Sequence, residues 1–140
     1  MALPIDGEII PGKSIGPFQL GATWGHLKES LSEAEYETET LHDGFKISTD
    51  SLWFFFDERE QLVQITAFNN YSGRLKKIIK IGSKVRNLTA VLGGWTIDEE
   101  GNFIVPSVPG ICFNPHHSIN PDSKSQNPDT IIEFISVYQD

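Results

Sequence analysis

The sequence predicts an α+β domain in which two α-β-β-β-β repeats join their strands into one antiparallel sheet, with two helices packed on one face. Three observations carry that expectation. The stretch Ser51–Phe68 sets two runs rich in aromatic and β-branched residues around five polar ones, the composition of a β-hairpin with a short turn. Leu20-Gly21 followed by Leu27 and Leu31 recurs as Ile81-Gly82 followed by Leu88 and Leu92, at identical spacing and an offset of 61 residues. Each unit alone has too small a core and must join its neighbour, which makes residues 1–140 one domain with repeats at about 18–69 and 79–139.

In chain order, the Gly- and Pro-rich segment Pro11–Leu20 reads as a turn leading into a short extended piece. Trp24, Leu27 and Leu31 lie on one face of a helix that Thr23 can cap and that ends near Ser32. Tyr36–Leu41 alternates as a half-buried strand, with Glu35, Glu37 and Glu39 on one side and Tyr36, Thr38 and Thr40 on the other. Asp43-Gly44 is a two-residue turn signal, and Phe45–Ser48 returns as a second strand. In the second unit Val85 takes the place of Trp24, and strands are expected at Trp95–Asp98, Asn102–Val105, Gly110–Phe113 and Thr130–Tyr138. The polar segment Asn114–Asp129 is far longer than a hairpin needs and reads as a mobile or binding loop.

The hairpin register follows from its turn. If Glu58–Glu60 form a three-residue loop, Asp57 pairs with Gln61, and Trp53 and Phe55 fall on the same apolar face as Val63 and Ile65. The opposite face then carries Leu52, Phe54 and Phe56 beside Gln64 and Thr66, and is expected to be half open. A four-residue loop would reverse one strand.

Composition narrows the function. A net charge of −8 disfavours nucleic acid, which needs a clustered positive field, and suits a basic protein partner. The charge is uneven, because Phe68–Ile97 holds no acidic residue while Arg74, Lys76, Lys77, Lys80, Lys84 and Arg86 are basic. The single Cys112 excludes an internal disulfide, and no apolar run approaches the ~18 residues that span a bilayer. Together these features predict a cytoplasmic chain with no membrane partner.

No reaction is legible. His116 and His117 stand near Asp122 and Asp129 without ligand spacing, so no metal is expected. Cys112 sits between Ile111 and Phe113 in a core strand, where a thiol behaves as a small hydrophobe. The three glutamates repeat like environments, whereas acid and base catalysis needs unlike ones. No phosphate-cradling glycine loop follows a strand, and no cofactor is expected.

The phrase Ile9–Gly21, leading into a helix and then the hairpin Phe55–Ile65, resembles small bacterial immunity proteins, the cytoplasmic antidotes to polymorphic or contact-dependent growth-inhibition toxins. The doubled helix-plus-four-strand unit is similar to β-lactamase inhibitor protein and related two-repeat folds. That resemblance implies a protein that is not an enzyme, is a monomer or weak dimer when free, and neutralises a basic cognate toxin such as a nuclease through the open face of its sheet. The residues expected to bind the partner are Glu35, Glu37 and Glu39, as a negative ladder, and Leu52, Phe54 and Phe56, as apolar anchors. The rival is a small ligand-binding protein or enzyme with a pocket between sheet and helices.

Overall fold

A computed structural model describes residues 5–31, 35–115 and 129–139. Most of the long polar loop, including His116, His117 and Asp122, lies outside the described residues. The chain begins with a three-stranded antiparallel meander of β1 (Ile9–Ile10), β2 (Ser14–Ile15) and β3 (Phe18–Gln19), where the sequence predicts only a turn and one extended piece. Helix α1 (Trp24–Ser30) follows, capped by the Thr23 side chain, which accepts from the His26 amide at 3.3 Å. Then come β4 (Glu37–Leu41), β5 (Gly44–Ser48), β6 (Leu52–Asp57) and β7 (Leu62–Phe68). After helix α2 (Arg86–Val91) the chain adds β8 (Thr96–Ile97), β9 (Phe103–Ile104), β10 (Ile111–Asn114) and β11 (Phe134–Tyr138).

The last eight strands form one antiparallel sheet in the order β4-β5-β6-β7-β11-β10-β9-β8. Each half is thus a meander, and the two halves meet where β7 pairs with β11, Ile65 opposite Val137 and Ala67 opposite Ile135. The architecture is mostly antiparallel sheet with two short helices, as the α+β expectation requires. Strands β8, β9 and β11 are shorter than expected. Ile131 leaves the strand pattern and instead forms an isolated bridge to Lys84.

Matching hydrogen bonds tie each helix start to the hairpin partner of its own half. The Gly21 amide donates to the Leu62 carbonyl at 2.8 Å and the Leu62 amide to the Ala22 carbonyl at 2.8 Å. In the other half, the Gly82 amide donates to the Ile132 carbonyl at 2.7 Å and the Ile132 amide to the Ser83 carbonyl at 2.8 Å. Gly21 and Gly82 both hold positive φ, at 91° and 98°, a conformation that disfavours a side chain and accounts for glycine at both points of the pattern.

One core serves the described residues. It takes the inward-facing rows of the large sheet, Ile47, Phe54, Ile65, Val137 and Ile111 foremost, together with Leu27 and Leu31 from the first helical segment and Val85 and Leu88 from the second. Leu92, expected in the second stripe, is only partly buried. Phe18 meets Phe54 edge-on at 5.0 Å, and Trp24 meets Phe56 at 5.5 Å, which places both β3 and α1 on the inward side. The N-terminal segment is anchored by Tyr71, whose hydroxyl donates to the Gly7 carbonyl at 2.7 Å, beside a Gly73 whose Cβ would overlap that same carbonyl.

The facing of the central hairpin corrects the sequence reading. The turn is as expected: the Asp57 amide donates to the Gln61 carbonyl at 3.0 Å around the loop Glu58–Glu60. Beyond it the register shifts, for Phe56 pairs with Leu62 while Phe55 pairs with Gln64, leaving Val63 without a cross-strand partner. A one-residue bulge exchanges the faces of everything further along. Trp53 therefore sits opposite Thr66, not Ile65, and Leu52, Phe54 and Phe56 align with Ala67, Ile65 and Leu62. Their exposures are 0, 0 and 2%, so these three expected anchors are core residues and are not available to a partner.

Candidate partner-binding face

The outward face of the large sheet is built from the residues that alternate with the core rows. One row runs Glu39, Lys46, Phe55, Gln64, Tyr138 across five strands. The next runs Glu37, Ser48, Trp53, Thr66, Ser136, Cys112. Phe68 and Phe134 pair beyond it. Glu37 and Glu39 are exposed on this face at the free edge of the sheet, and Glu35 is exposed just before the strand. The acidic ladder thus lies where the sequence places it, but its aromatic companions are different residues.

Those companions are Trp53, Phe55, Phe68 and Phe134, all half-buried. Trp53 is the hub, with ring centroids 4.6 Å from Phe68, 5.5 Å from Phe134 and 6.5 Å from Phe55. The Lys46 ammonium lies over it, 3.8 Å from the Trp53 ring and 5.6 Å from the Phe55 ring. A continuous aromatic cluster on an outward sheet face is the kind of surface that carries binding energy rather than solubility. Phe68 and Phe134 are far apart in sequence, and only the β7–β11 pairing brings them together, so no local pattern could have marked them.

Further along the same face a depression of about 600 Å³ is lined by Gln64, Cys112, Ser136, Tyr138 and the acidic turn Asp98–Glu100. It opens on the outward face, whereas the rival ligand-binding reading needs a pocket between sheet and helices. The turn repeats the geometry of the central hairpin: Asp98 Oδ1 accepts from the Glu100 and Asn102 amides at 2.9 Å each, as Asp57 Oδ1 accepts from Arg59 at 2.9 Å and Gln61 at 3.0 Å. Partial burial works to raise the Asp98 carboxyl, but these bonds and one from the Asn102 side chain outweigh it and hold the group below the usual carboxylate range. It is an anion at neutral pH.

Cys112 is buried, but it points to the outward side and lines the depression, which the core-strand reading missed. Burial pushes its thiol up to about 11, opposed by a hydrogen bond with Ser136 and reinforced by the negative field of Asp98 and Glu100. A thiol held protonated is the opposite of an activated nucleophile. Burial and the Asp6 charge also push Tyr71 up to about 12. Both groups favour their neutral forms in the folded state, so the stability they contribute is complete below pH 9 and is lost as pH rises through 9 to 12. Urea midpoints should accordingly fall over that window, with a smaller fall in Cys112→Ala; equal falls in the two proteins would place the thiol in water.

Among the described residues no group of three or more His, Cys, Asp or Glu side chains is placed to hold a metal ion, and no helix is long and apolar enough to cross a membrane. The basic stretch forms a second exposed feature. Lys76 and Lys77 both hold positive φ, 51° and 66°, in a tight turn closed by the Ile78 amide on the Leu75 carbonyl at 3.1 Å, and Ile78 is 55% exposed. Arg86 hydrogen-bonds Asp129, and Lys84 lies 3.9 Å from the same carboxylate.

Fold and face together define a class: an antiparallel-sheet protein with its core and α1 on one side and an aromatic, acid-flanked surface on the other. No family model matches the chain, and no curated protein matches it. Among solved structures it is similar to the uncharacterized protein yfeY from Escherichia coli, with a TM-score of 0.55 over 96% of this chain and 99% of that one. At 10% identity the likeness concerns the fold alone.

Proposed function

We propose that this protein is a stoichiometric inhibitor of the immunity type, which binds and neutralises a basic toxin, a nuclease by charge preference, in the cytoplasm of the producing cell. The observation that carries the reading is the outward face, where Trp53, Phe55, Phe68 and Phe134 form a half-buried cluster between acidic residues at β4 and at the β8–β9 turn. Aromatic anchors supply residence and the acidic flanks supply attraction to a basic surface. The protein then acts by occupancy rather than by chemistry.

In the same reading the chain is a doubled unit with both helices on the inward side. The paired bonds of Gly21 and Gly82 to Leu62 and Ile132, and the mirrored strand order about β7 and β11, support it. The test uses a candidate toxin, a basic polypeptide sought among the genes beside this one. Mixing the two purified proteins should give a 1:1 complex by light scattering and abolish the toxin's activity at equimolar dose. Undiminished activity at a tenfold excess would overturn the proposal.

A further inference from the structure

We infer that the Trp53–Phe55 corner of the outward face is a seat for a cationic side chain of a basic polypeptide, and that in the free protein Lys46 occupies it as a stand-in. The inference rests on the outward face being the working surface, and it names what that surface recognises. The two rings meet at 88° with centroids 6.5 Å apart, forming two walls of a corner. The Lys46 ammonium lies in it, close to one ring and within reach of the other. Ring faces are negative and attract a cation, so the corner's chemistry is displayed by the chain's own side chain.

Three features favour exchange for a partner's cation. Trp53 is also braced by Phe68 and Phe134, which helps hold the indole in place when its cation leaves. Lys46 faces Glu39 across the β4–β5 ladder, on the same side of the sheet, so the displaced ammonium has a carboxylate to move to. Glu37 and Glu39 on one flank and Asp98–Glu100 on the other make the surroundings negative, which suits an incoming arginine or lysine. A guanidinium suits the site best, because it is planar, stacks on indole and sheds water more readily than an ammonium. Lys46 opposes that ligand by charge and by occupancy, so its removal should strengthen binding.

The probe is a capped tetra-arginine peptide, titrated into the intact chain by calorimetry and by NMR of the Trp53 indole. Lys46→Gln should bind roughly two- to thirty-fold more tightly than the parent, the range that one cation–ring contact spans. Lys28→Gln, which changes the net charge equally from the exposed face of α1, should leave affinity nearly unchanged. Equal tightening in both variants would reduce the effect to net charge and overturn the seat, as would a Trp53 resonance that stays still while the peptide binds. Melting temperatures verify folding; Lys46→Met replaces Lys46→Gln, and Lys28→Met replaces Lys28→Gln, where the Gln variant fails to fold. A toxin that is not neutralised while the peptide series behaves as expected would remove the inhibitor reading and leave the seat; the converse would remove the seat alone.

Discussion

Replacing Phe54 with alanine is expected to lower folding stability by about 3–5 kcal/mol, the usual loss for a phenylalanine removed from a packed core. Its neighbour Phe55, truncated the same way, should lose roughly 1 kcal/mol or less. Phe54 is fully buried, pairs with Ile65 across the β6–β7 ladder and receives Phe18 edge-on, so its removal leaves a cavity bounded by rigid elements. Phe55 pairs with Gln64 on the outward face and, among the described residues, its one aromatic ring contact is with Trp53. Urea melts of the two variants decide the matter. Similar losses, or the larger loss at Phe55, would mean that the hairpin faces the other way and that the bulge at Val63 is absent.

That bulge separates what the sequence discloses from what it hides. Element positions were legible because their signals are local: the Thr23 cap, the Leu27 and Leu31 spacing, the turn residues Asp43-Gly44 and the aromatic run all act within a few residues. The facing of Leu52–Phe56 was not, because both candidate faces of β6 are apolar and periodicity cannot choose between them. The choice depends on one unpaired residue in the partner strand, which the alternation of apolar residues does not mark. The β1–β3 meander was missed for a related reason. Its strands are two residues each and are held by distant groups, the Ile9 amide on the Arg74 carbonyl at 3.0 Å and the Gly12 amide on the Gly110 carbonyl at 2.9 Å.

The candidate site shows the same division. The acidic ladder is a strand-local feature and lies where alternation puts it, with Glu37 and Glu39 outward and Thr38 opposite the buried Ile47. The expected apolar anchors Leu52, Phe54 and Phe56 lie in the core, and the bulge leaves Trp53 and Phe55 as the outward aromatics of that strand. The remaining members of the cluster, Phe68 and Phe134, need a long-range pairing between two halves of the chain. The turn Asp98–Glu100 reaches the face only because the sheet continues through β11, β10 and β9.

Against a basic toxin bound as proposed above, Trp53→Ala is expected to raise the dissociation rate by about thirty-fold or more, the size of a loss of 2 kcal/mol at a central anchor. Trp53 qualifies because it contacts three other outward aromatic rings, so its removal takes away both its own contact and the support of its neighbours. Reversing Glu35, Glu37 and Glu39 to lysine acts on a different step. These side chains lie exposed at or beside the sheet edge, where they would shape the field met by the proposed basic partner before contact. Association should slow by roughly tenfold at low salt, and the difference should shrink as ionic strength approaches about 1 M, where the screening length falls to ~3 Å. Dissociation should change little. Stopped-flow or surface-based kinetics at two salt concentrations, with melting temperatures alongside, separate the two effects. If folded variants of both kinds kept parental rates, the interface would have to lie elsewhere, and the exposed basic turn around Lys76, Lys77 and Ile78 would be the next surface to alter.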